Sequence, residues 1–517
     1  MMEVDTIEID TRECSQEKRT DYNCERKKSA VFTTENDVTE SASEVYSCKE
    51  KISSLEDKKL LFKIDCMLLP LFVLLYSVQY MDKSTSSFAS IMGIMEDLNM
   101  TGNRYSWSGT SFYIGYLAFE FVASYLLQFL PLAKTTSVFI FVWGVLVCLH
   151  PVANYPGFIA LRTLLGCAES AITPSMVILT SQWWKKEEQF FRMTLWFGAC
   201  GIGDTLASLI AYGLYVHGND SWNVTPWKVL YIVCGVTTVL FSFIFYFHVP
   251  DKPTEARFLS EREKGLVVER IKDNKQGFGD SGFKKYQFIE AITDYKTWIL
   301  FFFGFANCIP NGGLGAFSSI LLNDDFKYST EKSLIMNIPC DMINMWGSVL
   351  LAFFYTIGWV KHRMLIAILA TVITLVGSCM LAFSTNTQVM LAGYYIMNVS
   401  PLGMICALSC FSSNVSGSTK KSAVNALYLI GYCVGNLTGP QTYTDKQYPQ
   451  YTGAKIAIVV SFSASILFLF AMYFMFWFEN KKKDKAMKLL DPDEYDPEDY
   501  EFSDYTDKEN PYFRYTL

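Results

Sequence analysis

Glu169 is a carboxyl group placed where hydrocarbon is expected: it lies inside the apolar run 157–183, seven residues after Arg162 and five before Pro174. An ionisable side chain at bilayer depth costs about 2.5–3.5 kcal/mol on insertion scales, so it faces a partner or a water-filled path. Seven residues make two helical turns less about 20°, which puts Arg162 and Glu169 on one face about 10 Å apart along the axis. That separation is too long for direct pairing and suits the lining of one cavity. Gly166 lies between them on that face, where a missing side chain leaves room for a ligand or a neighbouring helix. A carboxyl whose burial changes with conformation changes its affinity for H⁺, so the run could couple proton binding to movement.

Membrane helices must position these groups. The chain of 517 residues is 51% hydrophobic and 16% aromatic, and its mean hydropathy is +0.19. Apolar runs fall at 63–82, 106–130, 135–150, 157–183, 192–217, 227–249, 297–322, 331–356, 362–383, 388–412, 421–440 and 453–478. Most approach the roughly 20 residues a helix needs to cross hydrocarbon. The fold expected is all-α, a polytopic membrane protein of twelve transmembrane helices in the lipid bilayer. Basic residues mark every second connection: Lys58, Lys59 and Lys63, then Lys185 and Lys186, Lys361 and Arg363, Lys420 and Lys421, and Lys481 to Lys483. The positive-inside bias puts these connections and both termini in the cytoplasm. The opposite connections carry the sequons Asn99-Met100-Thr101 and Asn223-Val224-Thr225, so Asn99 and Asn223 are expected as outer-face glycosylation sites.

Between 250 and 296 the chain becomes charged and divides twelve runs into six plus six. The expected organisation is a disordered cytoplasmic tail (1–57), a six-helix half (58–249), a cytoplasmic connector (250–296), a second six-helix half (297–480) and an acidic tail (481–517). Ser260-Glu261-Arg262-Glu263 has the capping-box pattern and opens a short helix through Arg270. Its stripe Leu266, Val267, Ile271 suits the inner membrane surface. The acidic tail reads as solvated, with its interleaved Tyr and Phe as a handle for regulation. The net charge of −7 comes largely from the tails.

The 14 cysteines form no metal-type spacing, and the four histidines, His150, His217, His248 and His362, fall near run ends, where an interfacial or loop role is expected. No metal, cofactor or nucleic-acid partner is indicated. With no nucleotide-binding loop and no nucleophile elbow, an ATP-driven pump and a membrane hydrolase are unsupported, and the chain is not read as an enzyme. Two six-helix halves suggest the internally repeated architecture of secondary transporters, with substrate near the midplane.

Several segments resemble one family. Lys63-Ile64-Asp65, Pro70 and Tyr80-Met81-Asp82-Lys83 look like the opening of the anion:cation symporters of the major facilitator superfamily. Arg162-Thr163-Leu164-Leu165-Gly166-Cys167-Ala168-Glu169, Pro174 and Trp183-Trp184 look like that family's fourth helix, particularly its fungal allantoate permease branch. Asn414-Val415-Ser416-Gly417, Lys420-Lys421, Gly435 to Gln441 and the ending Thr506 to Tyr515 are similar to the same branch. Gln128 departs from the superfamily pattern, which has Asp there. The absence of a Gly-Pro pair beside Gly198, Gly201 and Gly203 favours symport over exchange on that resemblance.

The resemblance implies Glu169 and Asp82 as proton-coupling groups. Lys83 stands where many relatives have Arg and is expected to meet substrate charge; Asp82 could instead pair with Lys83 or cap a helix end. Arg162 has two readings, neutralising a substrate anion or pairing with Asp82 and snorkelling. Tyr116, one turn before Glu120, presents a hydroxyl, and Asp204 adds a further intramembrane acid. In the second half Asn414 and Asn436 are candidate substrate donors, with helix-to-helix bonding as the competing role. Pro310, Gly312 and Gly313 in the seventh run, and Gly435, Gly439 and Pro440 in the eleventh, are expected to interrupt their helices and serve as gating hinges. The function expected is import of a small organic anion, allantoate or a similar carboxylate, by proton symport in a monomeric plasma-membrane carrier, with endomembrane residence open. The alternatives are a transporter-like nutrient sensor and an anion uniporter or exchanger for a vitamin, cysteine or a sulfonate.

Overall fold

The computed structural model describes residues 54–218, 224–271, 284–358, 362–487, 505–510 and 512–516. Asn223, residues 1–53 and most of the trailing tail lie outside them. The regular elements described are helices, without strand. The first half contains α1 (Ser54–Ser90), α2 (Arg104–Phe129) and α3 (Leu132–Leu149). Its fourth crossing is α4 (Tyr155–Glu169) with α5 (Ile172–Trp183), its fifth α6 (Lys186–Gly198) with α7 (Cys200–Gly218), and its sixth α8 (Pro226–His248). The connector holds α9 (Glu261–Ile271) and α10 (Lys285–Thr293). The second half follows as α11 (Tyr295–Ile320), α12 (Thr330–Ile335) with α13 (Ile338–Thr356), α14 (Arg363–Phe383), α15 (Thr387–Met397) with α16 (Ser400–Ser413), α17 (Ser418–Gln441) and α18 (Thr452–Met487).

Twelve crossings are therefore present, and among the described residues eleven are long and apolar enough to span a membrane. The twelfth, α17, is more polar, carrying Lys420, Lys421, Asn425 and Asn436, and it packs between α11 and α2. Large side chains such as Phe247, Phe383 and Leu467 are exposed on the outside of the bundle, where lipid would cover them.

The helix interruptions are not where the sequence suggested. Pro310 sits inside an unbroken α11, and α17 runs through Gly435 and Gly439 to Gln441 with Pro440 in its last turn. These glycines bring the two helices together instead: Gly312 lies on the Asn436 backbone, Gly435 on the Phe305 carbonyl, Gly439 on the Ile309 carbonyl, and Gly313 beside the Tyr443 ring. The breaks fall in the fourth, fifth, eighth and tenth crossings. In three of them a proline follows within a turn; Pro174, Pro339 and Pro401 have no N–H to give the carbonyl four residues back. In the fifth, Gly198, Gly201 and Gly203 surround the break at Ala199.

The connector helix α9 also differs from expectation. Its capping box is present, with Ser260 N donating to Glu263 Oε2 at 2.8 Å and Glu263 N to Ser260 Oγ at 3.3 Å. Leu266, Val267 and Ile271, however, are buried against protein. Arg270 Nε donates to Asp57 Oδ1 at 2.7 Å and its Nη2 to Glu188, while Lys63 Nζ meets Glu263 at 2.7 Å. The stripe therefore caps the basic end of the first half, because an arginine with two carboxylate partners there outcompetes the membrane surface. The acidic tail is likewise not wholly solvated, since Thr506, Asp507 and Tyr515 are buried on the second half.

The halves meet toward the face opposite the chain's basic end. Ser87 and Ser319 hydroxyls are 3.0 Å apart, and Tyr105 donates to Ala316 O at 2.8 Å. Gln441 Nε2 donates to Thr110 at 2.9 Å and Ser208 donates to Leu334 O; beside them, within the second half, Phe317 stacks on Tyr443 at 4.3 Å. One apolar core runs through that junction into both halves. Toward the basic end the second half has its own core, built around Leu300, Phe411, Leu469, Phe476 and Tyr515.

Candidate functional site

Asp82 and Lys83 are neighbours on α1 and point to different partners, as a 100° step requires. Asp82 is 2% exposed and Oδ2 accepts from Thr238 Oγ1 of α8 at 2.8 Å, while Oδ1 has no hydrogen-bond partner. Pairing of Asp82 with Lys83 is thus not seen. The Lys83 ammonium lies over the rings of Tyr80 and Tyr113, 5.1 and 5.5 Å from their centroids. Among the described residues it makes no ion pair within 4.0 Å, although Glu169 and Asp204 face it from α4 and α7.

Glu169 ends α4 where the fourth crossing breaks, and it is 1% exposed. Gln79 Nε2, one turn before Lys83 on α1, donates weakly to Glu169 Oε2 at 3.4 Å; Oε1 has no partner. The charges acting on the carboxylate are Asp82, which repels it, and Lys83 and Arg162, which attract it. Arg162 is buried rather than snorkelling. Its Nη2 donates to Tyr231 Oη at 2.5 Å, and the guanidinium lies over the Phe158 and Tyr231 rings. Among the described residues no carboxylate pairs with it directly, yet it acts on Asp82 through space. Gly166 serves the neighbouring helix, because its Cα rests on the Phe112 carbonyl of α2. Four charged side chains, Asp82, Lys83, Arg162 and Glu169, are therefore gathered in one electrostatic group within the first half.

Other expected residues divide between this group and elsewhere. Tyr116 is buried and turned toward Glu120, which is itself buried and accepts from Cys433 Sγ of α17 at 3.9 Å. Asn436 is fully buried and its amide is consumed in packing: Oδ1 accepts from Asn311 Nδ2 at 2.7 Å, and Nδ2 donates to Tyr432 O at 2.9 Å. Asn311, by contrast, is exposed. Asn414 lies apart from the group, at the basic end, where its amide binds Thr516 O at 2.8 Å; a polar residue at the end of α16 meets the returning tail before any central cavity. Asp341 of α13 faces Asp204 across the halves, where Gly201 touches the Asp341 carbonyl.

Sequence reading missed Gln79, Tyr113, Thr238 and Tyr231. Gln79 shares the face of Lys83 at one-turn spacing and carried a usable signal; the others come from separate helices and carried none. His150 is a further correction. It is fully buried, its Nδ1 is 2.8 Å from Leu146 O, and its ring stacks on Tyr231 at 5.1 Å, so it supports Arg162's platform instead of occupying a loop. No group of three or more His, Cys, Asp or Glu among the described residues is arranged to hold a metal.

Residues 72–440 match the family model described as Major Facilitator Superfamily. The chain belongs to the major facilitator superfamily. It is a multi-pass membrane transporter and not an enzyme. It is 45% identical to the allantoate permease of Saccharomyces cerevisiae, covering 90% of this chain and 88% of that protein. It is equally 45% identical to an uncharacterized transporter of Schizosaccharomyces pombe, over 90% of this chain and 91% of that protein. Among solved structures, the proton:xylose symporter XylE aligns with a TM-score of 0.62 at 14% identity, covering 78% of this chain and 95% of that one. That likeness establishes the transporter fold, within which the four charged residues of the first half lie on α1 and α4.

Proposed function

We propose that this transporter imports a small organic anion, with allantoate-type ureido acids first among candidates, by proton symport across the plasma membrane. It works as a monomer with both termini in the cytoplasm. The observation that carries the reading is Lys83, a cation in the bundle held between two tyrosines without a carboxylate in contact, facing a buried Glu169 that has one oxygen unpartnered. Ionised, Glu169 competes with a substrate carboxylate for Lys83. Protonated, it leaves Lys83 to the substrate. Ionised, Asp82, Lys83, Arg162 and Glu169 sum to zero and Asp204, which also faces Lys83, adds a negative charge; one anion entering with one proton leaves that total unchanged, and low-dielectric surroundings make the balance costly to break. Rocking of the halves about this site would then carry both across. The 45% identity to an allantoate permease supports the substrate class.

The test is uptake of labelled allantoate, nicotinate, pantothenate and cysteine at external pH 5 and 7.5 in cells without their own carriers, beside Glu169→Gln. Acid-stimulated uptake of one anion, with its proton-driven accumulation lost in Glu169→Gln, is expected. Undiminished gradient-driven accumulation in that variant would overturn the role of Glu169, and surface-delivered protein that takes up none of the four would point to a sensor or another substrate.

A further inference from the structure

The trailing segment 505–516 bonds separately to four crossings of the second half. Asp507, 1% exposed, accepts from Lys420 Nζ of α17 at 2.6 Å, from Lys296 Nζ of α11 at 3.0 Å and from Tyr515 Oη at 2.7 Å. Thr516 N donates to Asn414 Oδ1 at 2.7 Å beyond the end of α16. On α18, Asn480 exchanges two bonds with the Tyr515 backbone, at 2.8 and 2.9 Å, and the Tyr515 ring stacks on Phe476 at 5.3 Å and 12°. Lys420 also holds Glu290 of the connector helix α10 at 2.8 Å.

The position of these bonds matters more than their number. The two halves share a core and hydrogen bonds on the opposite side, while at the basic end the second half has a core of its own that includes Tyr515. Removing the segment would take Asp507 from Lys420 and Lys296, both nearly buried, leaving Lys420 with Glu290 and Asp294 and Lys296 with Asp294 alone at 3.8 Å, and would uncover Phe476. Two buried ammonium groups would then share Asp294 as their one buried carboxylate, and a buried charge that loses a partner is destabilising. The ends of α11, α16, α17 and α18 would then have one tie fewer each.

We propose that residues 505–516 are a permanent strap, a peptide bound in cis that keeps the basic ends of these four crossings one rigid body through the transport cycle. The proposal rests on the transporter assignment and not on the identity of the anion.

Thr516→Cys tests it directly, because Cys410 Sγ lies 3.9 Å from Thr516 Oγ1 and a cysteine there comes within disulfide reach. Oxidation of membranes holding the full chain should join Thr516→Cys to Cys410, and adding Asp507→Asn should lower the yield. Uptake of labelled allantoate per surface copy should be unchanged by the cross-link, should fall by about tenfold or more in Asp507→Asn, and should recover when Asp507→Asn/Thr516→Cys is oxidised. Absence of the cross-link in the otherwise unaltered chain would overturn the docking. Uptake abolished by the cross-link and restored by reductant would overturn permanence, and full uptake by Asp507→Asn or by a chain stopped after residue 504 would overturn the need for the strap. If truncation blocks surface delivery, the Asp507→Asn rescue decides. If the unaltered chain fails to move allantoate, the anion assignment fails, while cross-link yield, which uses no substrate, still tests the strap.

Discussion

Gly166→Ala should separate α2 from α4 and disable the central charge group without touching a charged residue. A Cβ at this position would collide with the Phe112 carbonyl oxygen and lie 2.8 Å from Tyr116 N and 3.0 Å from Phe112 C. These are backbone atoms, so no rotamer change makes room. Reaching an ordinary 3.4 Å contact with Tyr116 N alone needs about 0.6 Å of movement, and the collision with the Phe112 oxygen needs more. Gly115 on α2 rests on Thr163 of α4 in the same way, so the helices cannot slide to relieve one contact without worsening the other. Overpacking of this kind costs about 1–3 kcal/mol, against about 0.5–1 kcal/mol gained by replacing a helical glycine with alanine. The net expectation is a loss near 1–2 kcal/mol, seen as a thermal-unfolding midpoint several degrees lower in detergent. Allantoate uptake per surface copy should fall as well, because Glu169 is three residues along the displaced helix. Gly315→Ala is the control: nothing lies within 4 Å of its Cβ position, so it should be neutral or slightly stabilising. Equal stability and uptake of the two variants would refute close helix approach as the role of Gly166.

Asp65→Asn should lower stability by about 1–3 kcal/mol, since Asp65 accepts from Arg192 at 2.6 and 3.1 Å and from Trp184 Nε1 at 2.7 Å; an unchanged unfolding midpoint would count against this clamp. Arg162→Lys keeps the charge but loses the planar contact with Tyr231 and Phe158, so uptake should drop with surface delivery unaltered; wild-type uptake would show that charge alone suffices. Burial opposes the charge of Asp507, yet Lys296, Lys420 and Tyr515 hold its carboxyl down to about 2, below the ordinary 3.8. A depressed carboxyl contributes stability that is present above 3.8 and lost as pH falls through about 2, here of order 2 kcal/mol. Protease protection of the strap should therefore be flat from pH 8 to 5, and loss of protection within that window would contradict the geometry. Asn99 is exposed, so Asn99→Gln should reduce a glycosidase-sensitive gel shift, with the rest carried by Asn223; a shift of unchanged size would exclude glycosylation at Asn99.

The crossings were legible in the sequence because hydrocarbon imposes a length and an apolarity that each run carries on its own. The gathering of Glu169, Asp82, Lys83 and Arg162 inside the first half was legible for the related reason that a charge in such a run is expensive and is kept from lipid. What failed was inference from glycine and proline. The same residue types serve to break a helix and to let two helices touch, and only the partner helix decides between them. Gly435 and Gly439 face α11 and pack, whereas Pro174 removes a donor from the turn after Glu169 and the helix gives way. Asn414 and the tail failed for a different reason. Thr516 is 102 residues from the amide it binds, and no local pattern reports a contact at that separation.

The contacts between the halves and those within them are of different kinds, and this suits a body that must open at one end while holding its shape. Opposite the basic end, the halves are joined by hydroxyl-to-carbonyl and hydroxyl-to-hydroxyl bonds such as Tyr105 to Ala316 and Ser87 to Ser319, each worth about 0.5–1.5 kcal/mol. Bonds of that size can be exchanged for water one at a time as the halves part. At the basic end, the strong contacts are charge-assisted and stay within a half: Arg270 with Asp57 and Glu188 in the first, Lys420 and Lys296 with Asp507 in the second. Strong bonds inside each half and weak ones between them make the halves stiff and their junction soft. A movement that breaks only the soft set leaves Asp82, Lys83, Arg162 and Glu169 in fixed register, since all four belong to α1 and α4 of the same half. The proton and the anion would then meet an unchanged charge group from either side, and the difference between sides would lie in which water reaches Glu169.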